Sequence, residues 1–220
     1  AHEVNQPLCA ILTHAEGSLN MCRSGKCQKN KMIKKLETVV LQAERAGQVI
    51  NRIKGFVKKE KPTRQKVPLN RVIDESMHFL ENEIKKSEVS IDILSKSDNI
   101  EAQVDVVQLE QVVINLLRNS IEAMNHEKTQ NGSIKIALHS VGDYAIVCLR
   151  DNGPGCEKEP ISGILEPFYT TKNTGLGLGL SISRSIIESH GGELRVKKNR
   201  NKGLTFTFKL PLRGPAGISS

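Results

Sequence analysis

The chain has no tryptophan, and two tyrosines and five phenylalanines make up its 3% aromatic content. A core in 220 residues must therefore be built from Leu, Ile and Val. No apolar run approaches the ~18 residues that a membrane helix needs, and no signal peptide pattern is visible. The five cysteines (Cys9, Cys22, Cys27, Cys148, Cys156) are an odd number without a dense framework, which points to reduced thiols rather than structural disulfides. Cys22 and Cys27 bracket a turn, but two ordinary thiols outweigh a redox pair. Zinc-finger spacing is absent, and the basic run Lys58-Lys59-Glu60-Lys61 has no interleaved aromatics. The formal charge of +8 and pI near 9.3 therefore read as surface charge plus a basic linker, not as nucleic-acid binding. A chain opening abruptly inside a helical pattern reads as a fragment. The expected setting is cytoplasmic, without direct membrane contact; a tether to a membrane sensor would lie outside this sequence.

What is present falls into two patterns. Val4, Leu8, Ile11, Leu12, Ala15, Leu19 and Cys22 recur at helical spacing until Ser24-Gly25 interrupts them. Ile33, Leu36, Val40, Ala43, Gly47, Ile50, Ile53 and Val57 form a second set. This predicts an α-hairpin with one apolar stripe per helix. Two helices cannot cover both stripes, so the economical solution is a homodimer closing a four-helix bundle. Lys58 to Pro68, charged and carrying Pro62 and Pro68, reads as an interdomain linker.

Beyond the linker the period changes. Asn70 is expected to cap a helix through about Lys86, and Val89, Ile91 and Ile93 alternate as a strand. Asp105 is placed to cap a long helix to about Met124. Strands are predicted around Ile134 to Leu138, Tyr144 to Leu149, Glu193 to Lys197 and Leu204 to Leu210. Helices mixed with mostly antiparallel strands predict an α+β fold: an α/β sandwich with a mixed sheet and helices on one face. Asn152 to Thr174 lacks a period and reads as a lid.

Four motifs carry chemistry. Asp151-Asn152-Gly153-Pro154-Gly155 places an acid and a Gly turn at the end of the strand pattern Ala145, Val147, Leu149. Gly175-Leu176-Gly177-Leu178-Gly179-Leu180 sets three glycines at alternate positions before an amphipathic helix, where the backbone can approach a phosphate and free N–H groups can bind it. Asn115 and Asn119 lie one turn apart on one helix face. Near the N-terminus stands His2-Glu3-Val4-Asn5-Gln6-Pro7-Leu8, in which Glu3 can accept the imidazole proton and orient the ring. In this order they describe a nucleotide site and a histidine able to receive a phosphoryl group. The remaining histidines lack such company and read as structural or surface.

These motifs resemble those of bacterial sensor histidine kinases, in the subgroup whose phosphoacceptor segment reads His-Glu-x-Asn-Gln-Pro-Leu, and the resemblance runs from His2 to about Leu212. It implies residues 1–60 as dimerisation and histidine phosphotransfer domain, 61–65 as linker and 66–212 as ATP-binding catalytic domain, of a fold shared with gyrase-type and Hsp90-type ATPases. Residues 213–220 would be a disordered tail. It further implies ATP and Mg²⁺ as cofactors, a homodimer, and a response regulator receiver domain as partner. His2 would be the phosphoacceptor, helped by Glu3. Gln6 could position water for a phosphatase reaction or be a surface amide. Pro7, lacking an N–H, is expected to kink the helix as a hinge or a static bend.

In the nucleotide domain, Asn119 would be the Mg²⁺ ligand, with Asn115 facing the same cleft. An amide at position 115 cannot deprotonate water, which favours transfer to a protein histidine, although Glu110 and Glu122 could be proposed as bases. Asp151 would accept from the adenine amino group, with Gly153 and Gly155 packing on the base. Thr174, Gly175, Leu176, Gly177, Leu178, Gly179 and Leu180 would cradle the phosphates and hinge the lid. Many relatives carry Lys and Tyr where this chain has Glu122 and Ala123. Lys172 is therefore the expected cation at the terminal phosphate, Arg118 the alternative. Thr205 would touch the phosphates or be structural.

Overall fold

The computed structural model describes residues 2–25, 28–57, 63–94, 100–171 and 177–213, except for the side chains of residues 2–8, 44–45 and 47–57. The chain divides into two compact units, Ala1–Glu60 and Lys61–Ser220. No helix among the described residues is long and apolar enough to cross a membrane.

The first unit is a pair of contacting helices, α1 (His2–Arg23) and α2 (Lys29–Val57). Arg23 lies in the last turn of α1, where a cation suits the negative end of the helix dipole. Gly25, at φ +67°, takes the left-handed conformation that ends the helix. Among the described residues, those that lose exposure in this unit include Ile11, His14, Ser18 and Met21 of α1 and Met32, Lys35, Val39 and Ala46 of α2. The expected apolar stripes behave differently. Leu12 is 59% exposed, and Leu19, Ile33, Leu36 and Val40 are also exposed. The sequence predicts a stripe on each helix; of its described members Ile11 is half-buried, while Leu12, Leu19, Ile33, Leu36 and Val40 lie outside the hairpin seam.

The second unit packs helices on one face of a five-stranded sheet. Its strands are β2 (Ser90–Ile93), β4 (Ser133–Val141), β5 (Tyr144–Asp151), β6 (Glu193–Lys198) and β7 (Leu204–Pro211), in the order β2-β4-β5-β7-β6. β2 runs parallel to β4, and every other pairing is antiparallel. One face carries Ile134, Ile136, Leu138, Ala145, Val147, Leu149, Phe206 and Phe208, all buried, as the period of two requires. The other face carries exposed Lys135, His139, Arg150 and Arg195, the inside–outside alternation of a sheet with one wet side. Against the apolar face lie α3 (Leu69–Phe79), α5 (Val106–His126) and α6 (Gly179–Ser189). The α+β sandwich with a mixed sheet is therefore observed.

Three local expectations are corrected. The linker ends earlier than Pro68, because Gln65–Pro68 forms β1, paired antiparallel with β3 (Glu101–Val104). Ile100, Ala102 and Val104 are buried at alternate positions, a short signal that the longer strand patterns overshadowed. The helix expected from Asn70 to Lys86 begins at Leu69, whose N–H is held by the Ile100 carbonyl at 2.9 Å, with Pro68 in the capping position. It also breaks at Leu80, which is fully buried, and resumes as α4 (Glu81–Ser87). Inside the aperiodic stretch after Asp151, Ile161–Leu165 forms a 3₁₀ turn that buries Ile164 and Leu165.

Candidate functional site

β5 delivers a carboxylate into the core. Ala145, Val147 and Leu149 point inward, and Asp151, next in the same phase, is only 7% exposed. A buried charge survives only if hydrogen-bonded. Asp151 Oδ1 accepts the N–H of Gly153 at 2.9 Å and that of Leu204 at 3.1 Å, while Oδ2 accepts the Ser120 hydroxyl at 3.2 Å. Burial pushes the carboxyl pKa above its ordinary value, and these donors partly pull it back. A carboxylate offers about four acceptor positions. Three are taken, so one further N–H donor, such as a purine amino group, fits.

The backbone of Asp151 is held just as closely. Asn199 Nδ2 donates to the Asp151 carbonyl at 2.8 Å, and Asn199 Oδ1 accepts the Thr205 hydroxyl at 2.6 Å. Thr205 is 4% exposed, and its hydroxyl is thereby committed to Asn199. Gly203, at φ +88°, packs on the same residue: a Cβ there would lie 2.7 Å from both the Asp151 carbonyl carbon and Oδ1. Gly203→Ala is therefore expected to cost about 1–3 kcal/mol of stability through backbone strain. By displacing the carboxylate it should also weaken nucleotide binding roughly tenfold, equivalent to about 1.4 kcal/mol. Thermal unfolding and calorimetric titration with ADP would measure both, and unchanged values would show that the loop absorbs the methyl group elsewhere.

The two amides come from α5. Asp105 caps that helix by accepting the Gln108 N–H at 3.1 Å, as expected from the sequence. Leu109, Val112, Val113, Leu116, Leu117, Ile121 and Met124 form its buried stripe. Asn115 and Asn119 are half-buried beside it. Asn115 Nδ2 donates to Ser183 Oγ of α6 at 2.9 Å. Gly179, the first residue of α6, makes that approach possible, because a Cβ there would lie 2.5 Å from Asn115 Oδ1. The last glycine of the alternating run thus joins the two helices. Leu178 is buried just before it and Leu180 is half-buried. Gly177, at φ +64°, packs on the peptide of Phe168 and Tyr169.

The remaining candidates are distributed differently. Arg118 is engaged by Glu83 of α4 through a bidentate pair of 3.0 and 2.7 Å. Glu110 faces Glu75 of α3; burial first, then that neighbouring carboxyl, raises its pKa. Gly155 takes a positive φ of +82° in the turn after Asp151. His2, Glu3 and Gln6 belong to α1, which runs without interruption through Pro7, but their side chains are outside the described residues. Lys172, Thr174, Gly175 and Leu176 lie outside them altogether, as does Cys27. Ser120, Ser183 and Asn199 were missed in the sequence. Each is a small polar residue whose partner lies tens of positions away, and only Ser120, one residue after Asn119 in the α5 motif, offered a local hint.

Comparison with known proteins matches this geometry. Residues 104–214 match the family described as histidine kinase-, DNA gyrase B-, and HSP90-like ATPase. The chain is 34% identical over 212 residues to the C4-dicarboxylate transport sensor protein DctS of Rhodobacter capsulatus, covering 96% of this chain and 32% of that protein. It is 36% identical over 214 residues to the sensor protein FixL of Bradyrhizobium diazoefficiens, covering 96% of this chain and 42% of that protein. It thus spans well under half the length of these relatives. The catalytic domain of histidine kinase ThkA superposes with a TM-score of 0.61 at 34% identity, covering 68% of this chain and 96% of that domain. ThkA in complex with the response regulator protein TrrA gives 0.72 at 27% identity, covering 96% of this chain and 59% of that one. The chain belongs to the histidine kinase-, gyrase B- and Hsp90-like ATPases, and within them it is a two-component sensor histidine kinase catalytic core.

Proposed function

We propose that residues 66–212 bind Mg-ATP and that the terminal phosphoryl group passes first to His2 and then to an aspartate of a response regulator receiver domain. The observation that carries this reading is Asp151: a buried carboxylate with acceptor capacity left, beside the helix that bears Asn115 and Asn119. Asp151 selects the base through its amino group, with Gly153 and Gly155 against the ring. Asn119 would supply one amide oxygen to Mg²⁺, a hard cation that takes oxygen ligands. Among the described residues no group of three or more His, Cys, Asp or Glu could hold a metal, so the donor set suits an ion arriving with its nucleotide. When bound, that ion neutralises phosphate charge. Lys172 adds a cation at the terminal phosphate, with Arg118, held by Glu83, the alternative.

The Asn115 amide, bonded to Ser183, is no base for activating water, which supports transfer to a protein nucleophile. Phosphoryl transfer depends mainly on positioning and charge neutralisation. Glu3 orients the His2 ring and takes its proton. Gln6 would orient water on the phosphorylated receiver aspartate in a phosphatase reaction. The ThkA complex with a response regulator supports a receiver partner of this kind. Incubation with γ-labelled ATP tests the reading: an acid-labile, base-stable label on the chain is expected, and steady ATP turnover without label would overturn it.

The hairpin, residues 1–60, would dimerise through the exposed Leu12, Leu19, Ile33, Leu36 and Val40, closing a four-helix bundle. Soluble monomers rarely expose such contiguous apolar surface. Leu36→Asp and Val40→Asp should therefore halve the mass measured by light scattering at micromolar concentration while leaving ADP binding intact. An unchanged mass would place the dimer contact elsewhere.

A further inference from the structure

Asn199 follows the last residue of β6, and its backbone N–H and both ends of its side-chain amide are engaged. The N–H donates to the Gly203 carbonyl at 3.0 Å, closing the turn into β7. The amide nitrogen has two hydrogens. It donates to the Asp151 carbonyl at 2.8 Å and to the Lys202 carbonyl at 3.3 Å. Oδ1 accepts the Thr205 hydroxyl at 2.6 Å. Carbonyls can only accept, so this network fixes which end of the amide faces Asp151 and which faces Thr205.

Thr205 is separated from the nucleotide chemistry by the sheet itself. Leu204, Phe206 and Phe208 of β7 are buried in the core. Thr205, in the opposite phase, is in register with the exposed Arg150 of β5 and Lys197 of β6 on the open face. Asn115 and Asn119 belong to the helix layer on the other face. Pairing of β5 with β7 runs as far as Arg150 and Thr205. One residue later it is the Asn199 side chain that holds the Asp151 carbonyl. The turn closed by Asn199 also seats Gly203 against Asp151 and aims the Leu204 N–H at Asp151 Oδ1. Oδ1 thus has two donors, Leu204 and Gly153, and Oδ2 has one, Ser120. Each carboxylate oxygen offers about two acceptor positions, so the remaining one is on Oδ2.

We propose that Asn199 is a positioning residue for base recognition: it fixes the Asp151 carboxylate so that the remaining acceptor position of Oδ2 meets the base amino group, and Thr205 acts on the nucleotide only through it. Asn199 has this role only if Asp151 is the acceptor for that amino group, as proposed above. Without the amide, the Asp151 carbonyl and the Thr205 hydroxyl both lose a partner. Gly203 and Leu204 are then free to shift, and the carboxylate turns with them. Hydrogen bonds weaken steeply with angle, so affinity falls although no group that touches the nucleotide has been removed.

The full 220-residue chain and its variants are titrated with ADP by calorimetry. Asn199→Ala should weaken binding roughly fivefold or more. Thr205→Val, which keeps the shape and removes the hydroxyl, should also weaken it, whereas Thr205→Ser, which keeps the hydroxyl, should stay within about twofold. In Asp151→Asn the charged acceptor is already gone. Adding Asn199→Ala there should change affinity by less than about twofold, a coupling that general loosening of the fold does not produce. Hydrogen exchange reads the turn directly: the Leu204 N–H should be protected in the unmodified chain and unprotected in Asn199→Ala, with Phe208 of the same strand protected in both. Unchanged ADP affinity in Asn199→Ala would overturn the proposal. So would an undiminished loss in the Asp151→Asn background, equal losses in Thr205→Ser and Thr205→Val, or exposure of Phe208, which marks a merely structural role. If Asp151→Asn alone binds ADP as tightly as the unmodified chain, the reading of Asp151 fails first and the role of Asn199 falls with it.

Discussion

His2→Ala is expected to abolish acid-labile labelling from γ-labelled ATP, down to background, while nucleotide affinity stays within twofold. The imidazole nitrogen is the nucleophile in this reading, and alanine offers no atom that can accept a phosphoryl group. A nearby serine or carboxylate could not substitute unnoticed, because a phosphoserine is acid-stable and an acyl phosphate is base-labile, whereas a phosphohistidine is acid-labile and base-stable. Affinity is preserved because Asp151, Asn115 and Asn119 belong to a separate compact unit. Glu3→Gln should slow labelling without abolishing it, since the carboxylate only accepts and orients. Acid-labile label persisting in His2→Ala would move the phosphoacceptor to another histidine.

Asp151→Asn should separate binding from stability. Loss of a charged acceptor for the base amino group costs about 1.5–3 kcal/mol, or roughly ten- to 150-fold in ADP affinity. The stability effect has the opposite sign. The folded state raises the Asp151 pKa because burial penalises its charge. The folded protein then binds more protons than the unfolded chain between the ordinary carboxyl pKa and the raised value. Stability from this group is present at low pH and lost as pH rises through that window. At neutral pH the charge is a liability, which a neutral amide removes while keeping an oxygen for Gly153 and Leu204. Asp151→Asn should therefore melt no lower than the unmodified chain and bind ADP much more weakly. In the unmodified chain, ADP affinity should fall as the carboxyl protonates on acidification. Calorimetric titration across pH and thermal melts would test both. Unchanged affinity would remove Asp151 from the base pocket, and a lower melting temperature would mean that its three hydrogen bonds outweigh its burial.

Much of this site could be read from local pattern. The Asp105 cap is legible because its acceptor and donor are three residues apart. The inward phase of Asp151 follows from counting along Ala145, Val147 and Leu149. The glycine runs mark turns because their neighbours cannot take those angles. Other parts resisted local reading. The break at Leu80 depends on a buried pocket that other elements supply, and β1 is a strand only because β3 pairs with it. In the hairpin the apolar stripes were visible, but helical periodicity does not say which face meets the neighbouring helix.

By itself, then, the sequence determined the order of the motifs, the strand phases, the main helix start at Asp105 and the chemical identity of Asp151, Asn115 and Asn119, since each depends on neighbours within one helical turn or one strand. Tertiary structure alone decided what holds them. Ser120 reaches Asp151 across 31 residues, Asn199 across 48, Ser183 reaches Asn115 across 68, and Arg64 reaches Ser189 across 125. Those partners are chosen by how the sheet and helices pack, because a hydrogen bond reaches only about 3 Å and carries no trace in local periodicity.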